Sequence, residues 1–226
     1  NLRDEENRWF GLSLRARTIV YSTERVKPEQ LSTYAALGDE AWKGRLLLRT
    51  SKKVYNQSLV AMMIAEYGEE QTEQIVRSWV ANLAAAPFSN DTQAMEAIVA
   101  GQGDVAIVNT YYFGRLLRKQ PDLKLALFWP NQEQAGSGVH VNVSGAGVTR
   151  YAKHPEAAVK FLEWLSSEQA QNLFADANLE YPVNPMVAAN AEVAAWGTFV
   201  PSPFNLTQAG KLQEQAMRLM DRAGYR

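Results

Sequence analysis

The chain has 226 residues, no cysteine, and 24 acidic against 23 basic side chains, for a formal charge of -1. That balance offers no basic face of the kind sequence-independent nucleic-acid binding needs, and without cysteine there are no disulfides, thiolate catalysts or zinc-thiolate sites. With 46% hydrophobic residues the chain can build a substantial core, yet no apolar run approaches the roughly 20 residues of a membrane-spanning helix.

Asn1 to Glu6 is polar and acidic where a cleavable leader is basic and then apolar, so no signal peptide is read there. Residues 15–22 alternate and are rich in β-branched types, which predicts a strand, and Lys27-Pro28 then opens a short helix. The compact Leu-rich run 45–50 reads as a buried strand, and 55–67 as a helix with Leu59, Met62, Met63 and Tyr67 at helical spacing. A second helix over 69–84 presents Ile75, Trp79 and Leu83 on one stripe, with acids in its first turn where the helix dipole favours them. Asn90 or Asp91 caps a third helix.

Residues 104–109 read as a buried strand, 110–119 as a helix and 123–129 as another strand, an alternation that points to an open α/β sheet. Residues 136–149 carry four glycines among alternating valines, which predicts an extended crossing segment suited to a hinge, rather than a regular strand. Pro155 starts an amphipathic helix to 166 with Ala158, Phe161, Leu162 and Leu165 inward. Residues 167–178 continue helical with Leu173 and Phe174 inward, Pro182, Pro185, Pro201 and Pro203 mark loops, and a last amphipathic helix over 206–222 is closed by Gly224.

Chemistry gathers at residues 105–113, where a buried strand delivers Tyr111 and Tyr112 to the start of a helix. Ligands in open α/β sheets lie at the carboxyl ends of strands, and free amides in a helix's first turn favour an ionised phenol. Tyrosine ionises only near pH 10 unless a strong cation is close, and a small, hard, trivalent ion such as Fe(III) is such a cation. An adjacent tyrosine pair also suits ordinary core packing. A second strand-to-helix junction, at 49–59, brings Tyr55 to the same sheet edge.

Other groups have weaker claims. His140 and His154 lack metal-ligand partners at helical or hairpin spacing and read as packed or solvent-facing; Glu66, Glu69, Glu70 and Glu73 read as a solvated face. Gly101-Gln102-Gly103 precedes a strand and is a turn, not a phosphate loop. An enzyme using a tyrosine as acid or base would need Lys52 or Lys53 as partner.

The chain resembles the ferric-binding proteins of bacterial iron ABC importers, including the cyanobacterial iron-deficiency-induced type. The resemblance rests on Trp42-Lys43-Gly44-Arg45, Arg49-Thr50-Ser51, Tyr55-Asn56-Gln57-Ser58-Leu59 and the run from Gly103 to Tyr112. It continues through the run from His140 to Val148, Glu180-Tyr181-Pro182-Val183-Asn184 and Asp221-Arg222-Ala223-Gly224-Tyr225.

It implies a type II periplasmic-binding-protein fold of the α/β class, two lobes joined by hinge crossover strands, with the opening stretch of the first lobe lacking a counterpart here. The lobes divide as 1–17 (first-lobe remnant and hinge entry), 18–141 (second lobe with the tyrosines), 142–192 (first lobe) and 193–226 (helices packing on the second lobe). It implies Tyr55, Tyr111 and Tyr112 as ligands of Fe(III), and either Arg15 or Arg17, on one strand face, as the residue that neutralises a phenolate or holds a synergistic anion such as carbonate. The implied role is non-enzymatic: capture of ferric iron in the periplasm and delivery to an ABC permease of the inner membrane, without nucleic acid or direct membrane insertion. A type II binding protein for another small anion is the alternative.

Overall fold

The computed structural model describes residues 2–133 and 137–226, without the side chains of 174–176. Its spine is β1 (Phe10–Ser22), whose second half is buried on both faces because Ala16, Ile19 and Val20 have no exposed surface. Short 3-10 turns at Pro28–Gln30, Ala35–Gly38 and Glu40–Trp42 lead to β2 (Leu46–Leu47), only the middle of the strand expected over 45–50. There follow α1 (Val54–Tyr67), α2 (Glu69–Ala81), α3 (Asp91–Val99), β3 (Val105–Asn109), α4 (Thr110–Lys119) and β4 (Leu125–Phe128). The remainder is β5 (Val141–Ala146), α5 (Pro155–Leu165), α6 (Glu168–Asn178), β6 (Tyr181–Pro182), α7 (Ala191–Ala194) and α8 (Leu206–Arg222).

The sheet is mixed, in the order β2-β3-β1-β4: β2 and β3 run parallel, while β1 pairs antiparallel with β3 (Arg17 opposite Asn109) and with β4. The first half of β1 pairs instead with β5 and β6. One strand therefore serves two sheets.

Helix α1 buries an unbroken run from Asn56 to Ile64 rather than a single stripe, because it packs against the main core together with α2 and α8. Asn90 is the cap of α3, its side chain accepting from the Gln93 amide.

Pro182 lies in β6 opposite Ser13 and not in a loop, and three further expectations need correction. Within the crossing segment, Val141 to Ala146 form a regular antiparallel strand, with the irregularity borne by β1 between Gly11 and Ser13. The tight backbone approach is nonetheless present, since a Cβ on Gly145 would lie 2.9 Å from the Phe10 carbonyl oxygen; Gly136 lies outside the described residues. On α5, Phe161 is exposed and stacks on Trp164, leaving Leu165 as the buried residue. Leu173 of α6 is also exposed, because the inward position belongs to Gln171, whose amide bonds the carbonyls of Leu12 and Leu165 and the Val183 amide. Phe174 lies outside the side chains described.

Candidate metal centre

Parallel pairing of β2 and β3 sends the chain out of both strands at one sheet edge, and each exit soon becomes a helix. Tyr55 is the second residue of α1, and Tyr111 and Tyr112 the second and third of α4. Their convergence is direct: the Tyr111 hydroxyl lies 3.3 Å from that of Tyr55, and the rings of Tyr111 and Tyr112 have centroids 4.4 Å apart. The side chain of Asn109 donates to the Tyr111 hydroxyl at 3.5 Å.

Tyr111 is buried while Tyr55 and Tyr112 are half-exposed, so the cluster has a floor and an open side. Burial, reinforced by the hydrogen bond to Tyr55, pushes the Tyr111 phenol well above its ordinary range. Its proton leaves only if a strong positive charge takes its place.

Two guanidinium groups lie against these rings. Arg49 sits 4.8 Å from the Tyr55 centroid and 5.9 Å from that of Tyr112, and Arg115 sits 4.9 Å from that of Tyr111. Sequence reading assigned neither a role. Arg115 was findable, since it follows Tyr111 by one helical turn and shares its face. Arg49 shows no such periodicity; its marks are a charge at the end of a Leu-rich run and its place in the Arg49-Thr50-Ser51 motif.

Of the two expected arginines, Arg17 is almost fully buried beneath the site. It donates to the side chains of Asn56 (2.9 Å), Asp91 (3.1 Å) and Asn109 (2.9 Å) and to the Ile107 carbonyl (3.1 Å). It reaches Tyr111 only through Asn109. Arg15 lies opposite Asn142 of β5 and donates to the Ser144 hydroxyl at 2.9 Å.

His140, whose backbone carbonyl accepts from the Arg17 amide, is buried with neither ring nitrogen hydrogen-bonded among the described residues. Burial, then the charges of Arg17 and Arg15, hold its pKa down to about 3. His154 is exposed at the start of α5. Glu69 and Glu73 face outward and pair with Arg222 of α8, Glu73 also with Arg77. Lys52 and Lys53 are exposed in the loop before α1. Among the described residues no three His, Cys, Asp or Glu side chains converge, so the tyrosines are the oxygen donors gathered at this edge.

The model of the bacterial extracellular solute-binding protein family matches residues 1–200. The chain belongs to that family. This solute-binding protein is 44% identical over its whole length to iron uptake protein A2 of Synechocystis sp., of which it spans 67%, and 24% identical over 96% of its length to the major ferric iron-binding protein of Neisseria meningitidis, of which it spans 65%. The chain thus spans about two thirds of the length of these curated relatives. Among solved structures it is similar to the Trichodesmium IdiA (FutA) protein in complex with iron and citrate ligands (42% identity, TM-score 0.95, all of this chain and 72% of that one). It is also similar to Mannheimia haemolytica ferric iron-binding protein A in an open conformation (37% identity, TM-score 0.94, 99% of this chain and 72% of that one). The solute-binding protein accordingly has the type II periplasmic-binding-protein fold of these neighbours.

Proposed function

We propose that this chain captures Fe(III) through the phenolates of Tyr55, Tyr111 and Tyr112, as the iron-holding part of a periplasmic solute-binding protein that serves an ABC importer. The observation that carries this reading is the 3.3 Å meeting of two phenol oxygens from separate strand-helix junctions, with the Tyr112 ring against the second. Family membership and the likeness to iron uptake and ferric iron-binding proteins support it.

Three phenolates carry three negative charges, which neutralise a ferric ion in full. A hard trivalent cation takes oxygen donors and displaces the phenolic protons, including that of the buried Tyr111. Arg15, only partly buried and bonded to the Ser144 hydroxyl, is the candidate for a synergistic anion such as carbonate, while the almost fully buried Arg17 neutralises charge from below through Asn109. We further assign 1–17 and 142–192 to one lobe and 18–141 and 193–226 to the other, with closure over the ion and release to the permease as the working cycle. Capture and release exchange phenolic protons for the ion and leave the ion chemically unchanged, so the role is transport and not catalysis.

Titration of the protein with ferric citrate tests this. A visible phenolate-to-iron charge-transfer band is expected, lost in the variant carrying Tyr111→Phe and Tyr112→Phe and weakened in Tyr55→Phe. A colourless wild-type protein at saturating iron refutes the reading.

A further inference from the structure

Beneath the tyrosines lies a buried charge arrangement in which Asp91 and Arg49 have no part in the capture of iron proposed above. Asp91 is completely buried at the first turn of α3. Its Oδ2 accepts from Arg17 at 3.1 Å and from the Asn109 amide at 2.8 Å, and its Oδ1 accepts from Arg49 at 3.4 Å. Among the described residues it is the carboxylate that pairs with either arginine, and Arg17 and Arg49 are themselves at most 5% exposed. Two guanidinium ions against one carboxylate leave a single positive charge in excess, enclosed in protein where screening by water is weak.

That excess sits in a directed place. Arg49 is tied by its Nη atoms to Asp91 and to the Ser89 carbonyl, which fixes its plane, and its Cζ lies over the rings of Tyr55 and Tyr112. These two rings come from different helices, each in contact with Tyr111, and the Arg49 guanidinium bridges them with its Cζ 4.8 Å from one centroid and 5.9 Å from the other.

We propose that Arg49, clamped by Asp91, is a positioning residue of the tyrosine site: it sets the spacing of Tyr55 and Tyr112 and presents one uncompensated positive charge to their phenolates. This rests on the iron reading above. Such a charge lowers the energy of the phenolate electrons, so the ligand-to-metal transition moves to higher energy, and a fixed spacing slows loss of the ion. Groups that orient metal ligands in this way change affinity by about 10–100-fold when removed.

The test uses the full chain loaded from ferric citrate, reading the position of the charge-transfer band, the rate of iron loss to a competing chelator, and circular dichroism for the fold. Arg49→Met removes charge and plane together; the expected result is a band at longer wavelength and release about tenfold faster. Arg49→Lys keeps the charge opposite Asp91 without the plane; its band should stay near that of the wild type while release is still accelerated. Folded variants with wild-type band and release rate overturn the proposal, and where Arg49→Met does not fold, an unchanged release rate in Arg49→Lys is sufficient to do so. A wild-type chain that shows no band overturns the iron reading and this inference with it, whereas unaffected variants of a coloured wild type overturn this inference alone.

Discussion

Tyr225 donates its hydroxyl hydrogen to the backbone carbonyl of Arg49, 2.5 Å away, and so ties the turn after α8 to the segment that enters α1. The same oxygen accepts from the side chain of Asn56 at 2.6 Å, and burial holds the phenol protonated far above its ordinary range. Tyr225→Phe leaves the ring in place and removes both bonds. Because Asn56 keeps its bonds to the Arg49 and Thr50 carbonyls, the loss should be about 1–2 kcal/mol, measured as a lowered urea midpoint with unchanged m value.

Asp91 should be far less tolerant. Asp91→Ala leaves Arg17 and Arg49 buried with no counter-charge and frees the Asn109 amide. Removing one partner of a buried pair costs about 3–5 kcal/mol, so equilibrium unfolding should register that loss or the variant should fail to accumulate as folded protein.

Acid should weaken the fold through His140. In the native state its pKa is about 3 against an ordinary 6.5, because burial and the neighbouring Arg17 and Arg15 oppose a second positive charge. Above 6.5 the ring is neutral in both states and contributes no pH dependence. As the pH falls from 6.5 towards 3, the unfolded chain takes up a proton that the folded chain refuses, so stability drops by about 1.4 kcal/mol per pH unit from this group. His140→Met removes the titrating ring at similar size. Urea titrations at pH 7, 6 and 5 should therefore show a shallower fall for the variant than for the wild type.

Gly114 is where α4 presses on the segments around Leu179 and Trp196: a Cβ there would lie 2.7 Å from each side chain. Alanine gains helix propensity worth about 1 kcal/mol, which offsets part of the clash, but Gly114→Val offers no such relief. The larger side chain should push α4 off its support and shift Tyr111 and Tyr112 with it. Expected are a loss of about 1–3 kcal/mol in stability and a weaker charge-transfer band per bound iron, compared with wild type in the same titration.

What could be read from the residues divides along a physical line. The bounds of α4 and α8 agree with the expectation because an apolar stripe and, for α8, the Asn205 cap and a closing glycine act locally. So does the meeting of the three tyrosines, which needs only parallel pairing of two strands, each running into a helix. Local pattern misled where a partner decides. The glycines of 136–149 suggested irregularity, yet Gly145 lies within a regular β5, where β1 passes so close that a side chain would strike its backbone. Phe161 looked inward by spacing along with Leu165, but α5 buries Leu165 and leaves Phe161 exposed. Arg17, Arg49 and Asp91 were invisible as a unit because they stand 74 and 42 positions apart in pairs, and Asp91 by itself reads as an ordinary acid at a helix start.

The shared strand β1 has one further implication. Its first half is the partner of β5 and β6 and its second half the partner of β3 and β4, with Arg17 at the crossing. Neither sheet owns the strand, so neither can be excised or melted while the other keeps its edges. On the proposed reading, closure over a captured ion would be a bend in a continuous ribbon, and heat should dismantle both sheets in one step.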